Sequence, residues 1–316
     1  MIQKGELTVE PAEAALENAV GRPLTSGDLV AGSGATRTLR AIMREARRRR
    51  TSMLGLVLSA VFVFTGIFAP VLAPESPTSQ DLLHTLAHPF VHMSHLLGTD
   101  DLGRDMLSRV IFGAQNALLV STLTVAIAAS IGTVLGLIAG FWGGAVDALI
   151  MRLVDAQLAF PYILLAILVG AALGPSLLHL VMVLVIASWA IYARVVRGSV
   201  LEIRHREFIT AARALGATKT RTVVRHVFPN VLTPLIVVAS LEVGNVIIAA
   251  AALSFLGVGS DPRAPAWGSM LALGRDYMQT AWWLPVFPGI AISLTVLGTN
   301  LVGNLLRDAL DPRSAQ

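Results

Sequence analysis

The sequence predicts an all-α protein that crosses a membrane several times. Of its 316 residues, 54% are hydrophobic and only 14% are charged, and the mean hydropathy is +0.70. Soluble globular domains carry about 25% charged residues, so this composition indicates a chain surrounded by lipid. Six apolar stretches approach the roughly 20 residues that a helix needs to span a bilayer. Such stretches are predicted to be helical, because the hydrocarbon layer offers no water to satisfy the backbone.

The apolar stretches divide the chain into an extension and a membrane domain. Residues 1–52 are predicted to be a disordered cytoplasmic extension, rich in Ala, Gly and Glu, that ends in a basic cluster beside the first span. Residues 53–316 are predicted to be one six-span domain. The predicted spans are about 53–73, 117–141, 156–173, 177–196, 231–253 and 282–306.

The distribution of positive charge predicts the orientation of the chain. Twenty of the 24 Lys and Arg residues lie in the two terminal segments, between spans 2 and 3, or from Arg194 at the end of span 4 to Arg225 before span 5. Under the positive-inside rule, both termini and the loop 197–229 are therefore predicted to be cytoplasmic. The arginines at 44 and 47–50 adjoin the first span, which favours a topological anchor over a nucleic-acid-binding patch.

Sequence signatures of catalysis are missing. The chain has no Cys, which excludes disulfides, thiolate metal sites and Cys nucleophiles. It contains no Gly-x-x-x-x-Gly-Lys-Ser/Thr phosphate-binding loop, no Gly-x-Ser-x-Gly and no His-Glu-x-x-His. We therefore expect no enzymatic activity, no catalytic residues and no cofactor bound by this chain.

The loop between spans 4 and 5 contains a short basic helix, predicted from Arg206 to Leu215. Phe208, Ala212 and Leu215 are spaced at i, i+4 and i+7, which places an apolar stripe along one face. The small residues of the helix allow a partner surface to approach closely, and Gly216 is a suitable C-terminal stop. Arg206 and Arg213 are one heptad apart and are expected to meet acidic groups on that partner.

This loop resembles the cytoplasmic coupling loop of bacterial ATP-binding-cassette importers. The signature of that loop is Glu-Ala-Ala, a Gly three residues on, and then a Pro. Here Thr210 stands in place of the Glu and is followed by Ala211-Ala212. The resemblance implies that the loop receives motion from a separate ATPase. The implied coupling residues are Phe208, Thr210, Ala211, Ala212, Arg213, Leu215, Gly216 and Pro229.

The first outer loop carries a second resemblance. Residues 95–109 read His-Leu-Leu-Gly-Thr-Asp-Asp-Leu-Gly-Arg-Asp-Met-Leu-Ser-Arg, with Thr99 or Asp100 predicted to cap a helix. This stretch is similar to the hallmark of the second permease subunit of dipeptide, oligopeptide and nickel importers. Further likeness extends the match to about residues 53–313. The additional similar stretches are 252–259, 267–268, 274–277, 287–289 and 305–312.

The resemblance implies the type I importer permease fold in a bacterial inner membrane. This chain would form the pore with a second, homologous permease. Two cytoplasmic ATPase domains would bind ATP and Mg, and an extracytoplasmic solute-binding protein would deliver the substrate. Short peptides, either dipeptides or oligopeptides, are the favoured substrate, and nickel or a nickel chelate is the alternative. A rival class is an ATP-independent secondary transporter or channel, which would need inverted repeats or paired intramembrane charges.

Glu242 is the one carboxylate well inside an apolar span. A charged group at mid-bilayer costs on the order of 2.5–3.5 kcal/mol on insertion scales, so Glu242 is predicted to face a cavity or a partner. Asn245 lies one turn away and is expected to hydrogen-bond it. Both are candidate pore-lining residues. The alternative is that Glu242 only holds span 5 against a neighbouring span.

Four histidines of the first outer loop follow one another at intervals of 4, 4 and 3. They are His84, His88, His92 and His95. On one continuous helix they would form a single-faced metal-binding ladder. Pro89 interrupts such a helix, and no carboxylate lies within 84–95, which favours a solvated or subunit-contacting loop instead.

Overall fold

The computed structural model describes residues 50–91, 93–174, 176–259 and 264–310. Most of the predicted N-terminal extension and His92 lie outside these residues. The described residues belong to one compact unit. Within the described part, regular structure is helical except for an isolated bridge between Thr99 and Asp105. The predicted all-α class is confirmed.

Eleven α-helices are described, and we number them in chain order. They are α1 Arg50–Ile67, α2 Ala69–Leu72, α3 Met106–Trp142, α4 Gly144–Ala159, α5 Tyr162–Leu173, α6 Leu177–Ile203, α7 Glu207–Ala214, α8 Lys219–Thr222, α9 Phe228–Phe255, α10 Trp267–Asp276 and α11 Trp283–Leu310. A 3₁₀ turn covers Leu82–His84. A π-helical turn at Val223–Val227 joins α8 to α9.

Four continuous helices are long and apolar enough to span a membrane: α3, α6, the run Lys219–Phe255 and α11. Helices α4 and α5 form one broken span or a re-entrant pair, since they meet at 91°. The third predicted span, 156–173, contains this break, because Pro161 disfavours a helical conformation in the preceding Phe160. The apolar part of α1 is shorter than a full span. The structure therefore has four or five spans by length, with α1 in addition, where the sequence predicts six.

Helix α3 begins well before the second predicted span. It has 37 residues and is therefore about 55 Å long, which exceeds the roughly 30 Å hydrocarbon layer. Asp105 caps it, because its carboxylate accepts a hydrogen bond from the Ser108 amide at 2.8 Å. The predicted caps, Thr99 and Asp100, are wrong. Asp100 instead closes a tight turn by accepting from the Leu102 and Arg104 amides, each at 2.9 Å.

Helices α3 and α6 approach each other across a row of glycines spaced four residues apart: Gly132, Gly136 and Gly140. A Cβ atom at Gly136 would lie 2.6 Å from the Ala193 carbonyl oxygen and 2.8 Å from the Val196 Cβ. No side chain fits in that space. Small residues at this interval allow membrane helices to pack backbone to backbone. The row therefore fixes α3 against α6, whose C-terminal end leads directly to α7.

Candidate coupling site

Helix α7 is a short helix with a defined end at each terminus. Glu207 in its first turn and Arg213 in its last turn both complement the helix dipole. At the C-terminus, the Gly216 amide donates to the Arg213 carbonyl and the Ala217 amide donates to the Ala212 carbonyl, both at 3.0 Å. These are the two bonds of a Schellman motif, and Gly216 has the left-handed φ of +87° that the motif requires. The predicted glycine stop is confirmed.

Ile209 anchors α7 to the membrane helices. Its side chain is fully buried and belongs to an apolar cluster of residues from the ends of several helices. The other members are Phe141 of α3, Val196, Val200 and Ile203 of α6, Val223 and Val227 of the π turn, and Val231 of α9. Ile209 thus packs α7 into a cluster that also contains residues of α3, α6 and α9. The sequence analysis does not identify Ile209. Adjacent helical residues point about 100° apart, and this separation would have placed Ile209 on a different face from Phe208.

The arginines around α7 also have partners within the chain. Arg206 Nη2 donates to Glu202 Oε1 at 2.7 Å, and the Arg213 guanidinium lies 5.0 Å from the centroid of the Phe141 ring. Arg204 Nη1 donates to the Gly140 carbonyl at 2.9 Å. Arg206 and Arg213 are predicted from the sequence to meet acids on a partner, but here they contact groups of their own chain.

The opposite face of α7 is exposed and partly apolar. Leu215 is 89% exposed and Phe208 is 42% exposed, although both are large hydrophobic residues. Ala212 is half-buried. The remaining predicted coupling residues are exposed as well: Thr210, Ala211, Arg213, Gly216 and Pro229. The structure therefore presents small and apolar groups on one side of a helix whose other side is anchored by Ile209.

Pro229, the last of the predicted coupling residues, lies within a helix and not in a loop. It is the second residue of α9 and lies within the continuous helical run Lys219–Phe255. A proline inside a helix removes a backbone donor and crowds the carbonyl four residues earlier. The π turn at Val223–Val227 precedes it and changes the hydrogen-bond spacing there. Helix α6 also continues to Ile203, so the connection outside the long helices is 204–218 rather than 197–229.

Glu242 lies near the middle of α9 and is only 9% exposed. It accepts a hydrogen bond from Asn245 Nδ2 at 3.0 Å, as the sequence predicts. Tyr192 of α6 and Tyr162 of α5 pack in the apolar cluster that contains Val246 of α9. The Tyr192 hydroxyl is buried and has no hydrogen-bond partner among the described residues. Glu242 therefore lies inside the helical bundle, on the side of α9 that packs against other helices.

The four histidines of the outer loop do not form a ladder. His88 packs against Trp283, with ring centroids 4.7 Å apart, and His92 lies outside the described residues. His84 and His95 instead come together with Asp81, which lies just before the stretch 84–95 that contains the histidines. The hydrogen bond from His84 lowers the pKa of the Asp81 carboxyl. Asp81, three residues before His84, is the sequence feature that could have indicated this cluster.

Long apolar helices, with a buried polar group within them and an exposed helix at their ends, define a multi-pass membrane protein. The chain belongs to the family described as binding-protein-dependent transport system inner membrane component, whose sequence model matches residues 132–316. Residues 38–89 also match the model of the N-terminal transmembrane domain of oligopeptide transport permease C.

Curated relatives match most of the chain. A dipeptide transport system permease protein of Alkalihalophilus pseudofirmus is 42% identical over 274 residues, covering 87% of this chain and 90% of the relative. A di/tripeptide transport system permease protein of Pseudomonas aeruginosa is 44% identical, with 82% and 87% covered. A dipeptide transport system permease protein of Escherichia coli is 43% identical, with 85% and 91% covered.

Proposed function

We propose that this chain is the transmembrane permease subunit of an ATP-driven, binding-protein-dependent importer of short peptides. The observation that carries the proposal is the geometry of α7, which is anchored by Ile209 on one side and exposes Phe208 and Leu215 on the other. A monomer would expose these apolar groups to water, whereas an ATPase docked on α7 would cover them. Membership of a transport permease family and the peptide-transport names of three relatives support the same function.

The anchoring of α7 suggests how ATPase motion reaches the pore. When the ATPase domains close on ATP, they displace α7, and Ile209 transmits the displacement to the ends of α3, α6 and α9. The close α3–α6 contact at Gly136 makes those two helices respond together. The pore, formed with a second homologous permease, then changes from inward-facing to outward-facing. ATP hydrolysis restores the first state.

The remaining partners follow from the same assignment. The positive-charge bias supports a cytoplasmic location for both termini and the 204–218 connection, where two ATPase domains would bind ATP and Mg. A solute-binding protein delivers the substrate to the opposite side. Nickel remains the alternative substrate, although the names of the relatives give it no support. A secondary transporter would leave the exposed face of α7 without a purpose.

Uptake by the reconstituted complex tests this function. The chain is assembled in vesicles with its second permease and ATPases, and the binding protein is loaded with a labelled dipeptide or with nickel. We expect ATP-dependent accumulation of the dipeptide and none of nickel. Accumulation of nickel alone would support the alternative substrate. Dipeptide accumulation that persists without the ATPases would instead identify a secondary transporter.

We expect Glu242→Gln to reduce dipeptide uptake while complex assembly and basal ATP hydrolysis stay normal. Glutamine preserves the shape and the contact with Asn245 but removes the charge that would attract a peptide ammonium group in transit. The measurement compares initial uptake rates at equal amounts of assembled complex, with Glu242→Asp as a variant that keeps a carboxylate at this position. Wild-type uptake by Glu242→Gln would leave Glu242 with a structural role only.

A further inference from the structure

Asp81, His84 and His95 form a compact cluster in the loop between α2 and α3. Each offers one ligand atom, and these atoms all lie within 4.8 Å of one another. His84 Nδ1 is 2.7 Å from Asp81 Oδ2, and His95 Nε2 is 3.9 Å from the same oxygen. Two imidazole nitrogens and one carboxylate oxygen are a ligand set that zinc accepts in proteins. We propose that this cluster binds a zinc ion.

The distances require only small movements to accommodate the ion. Zinc bonds to nitrogen and oxygen are about 2.1 Å, so two ligands of a tetrahedral site lie about 3.4 Å apart. The contact between His84 and Asp81 is shorter than this value, and the contact between His95 and Asp81 is longer. Zinc would replace the proton between His84 and Asp81. The side chains of His84 and Asp81 are each 39% exposed, so they have room to adjust and leave a fourth position open to water.

His95 is oriented by a carboxylate that is not itself a ligand. Its Nδ1 lies 3.3 Å from Asp105 Oδ1, and both side chains are almost completely buried. With Nδ1 donating to Asp105, Nε2 carries the lone pair and faces Asp81. Histidine ligands of zinc commonly donate their other ring N–H to a carboxylate, which fixes the tautomer and the ring orientation. Asp105 also caps α3, so His95 is held by the first turn of a long helix.

The backbone holds Asp81 in place independently of its side chain. The Asp81 amide donates to the Gly103 carbonyl at 3.2 Å. A Cβ at Gly103 would lie 1.8 Å from the Asp81 carbonyl oxygen, and Gly103 has a left-handed φ of +70°. Only glycine tolerates both this close contact and the left-handed φ, and it therefore allows the chain to approach Asp81 closely. The cluster therefore connects the 3₁₀ turn at 82–84 to the segment that enters α3.

Zinc binding by the full-length chain tests the site without any transport assay. The protein is purified in detergent, freed of any polyhistidine tag and treated with a chelator, and zinc chloride is then titrated while bound metal and thermal unfolding are measured. We expect one zinc per chain and a higher unfolding temperature with zinc. His84→Ala should lose both effects. Asp105→Asn retains a capping side chain and should weaken zinc binding by about 10–100-fold.

His88→Ala is the matched control, since His88 lies in the same loop but packs on Trp283 outside the cluster. It should bind zinc as the wild type does. Because His84 is half-exposed, its replacement is expected to leave the fold intact, which the unfolding transition without zinc verifies. The proposal is overturned if the wild type binds no zinc, or if folded His84→Ala binds it with unchanged stoichiometry and affinity.

Discussion

Gly136→Leu is expected to prevent the chain from reaching its folded, assembled state. The Cβ alone would lie 2.6 Å from the Ala193 carbonyl oxygen, and a leucine adds three further carbons between α3 and α6. Overpacking a well-packed interior typically costs about 1–3 kcal/mol through displaced side chains and backbone. Here the obstacle is backbone, which cannot rotate away. We therefore expect a loss at or above the upper end of that range.

Gly198→Leu is the matched control for this variant. Gly198 lies on α6, two residues after Val196, is exposed, and has no atom within 4 Å of the position that a Cβ would take. The measurements are the amount of monodisperse protein recovered in detergent and its unfolding temperature. Gly136→Leu should be recovered poorly or unfold at a much lower temperature, and Gly198→Leu should resemble the wild type. Equal behaviour of the two variants would contradict the close α3–α6 contact.

Composition and apolar length predicted the helical class and most of the spans. The lipid environment permits few structures, so a long apolar run has essentially one outcome. The bend between α4 and α5 was harder to foresee, because hydropathy averaged over the run does not report the backbone constraint that Pro161 imposes. The start of α3 was also misjudged. Several residues of 95–109 can cap a helix, and only the tertiary contacts of the loop select Asp105.

The candidate coupling site was foreseen in part. The motif located α7, its exposed small residues and the Gly216 stop, since these depend on local spacing. Ile209 was not foreseen, because its burial depends on residues from α3, α6 and α9 that are distant in sequence. The cluster of Asp81, His84 and His95 was missed for a similar reason. The three residues meet where the loop folds back on itself, and helical periodicity cannot predict contacts of this kind.

Ala211→Trp is expected to abolish substrate-stimulated ATP hydrolysis while the permease still folds and enters the membrane. Ala211 is exposed on α7, so an indole there can extend into solvent in the isolated chain but would hold a docked ATPase away. The effect of a bulky substitution at Ala212 or Gly216, two other predicted coupling residues, would be harder to interpret. Ala212 is half-buried, and any side chain at Gly216 is strained by its left-handed φ, at a cost of about 1–2 kcal/mol.

Ala211→Ser separates steric exclusion from a general sensitivity of the position. Serine adds a single oxygen and keeps the surface small, so this variant should couple at close to the wild-type rate. The assay measures ATP hydrolysis by the reconstituted complex with and without loaded binding protein, together with co-purification of the ATPases. For Ala211→Trp we expect at least about a tenfold loss of stimulation, which corresponds to about 1.4 kcal/mol of coupling. Wild-type stimulation in this variant would show that the exposed face of α7 is not the ATPase contact, and the apolar groups at Phe208 and Leu215 would then belong to another interface.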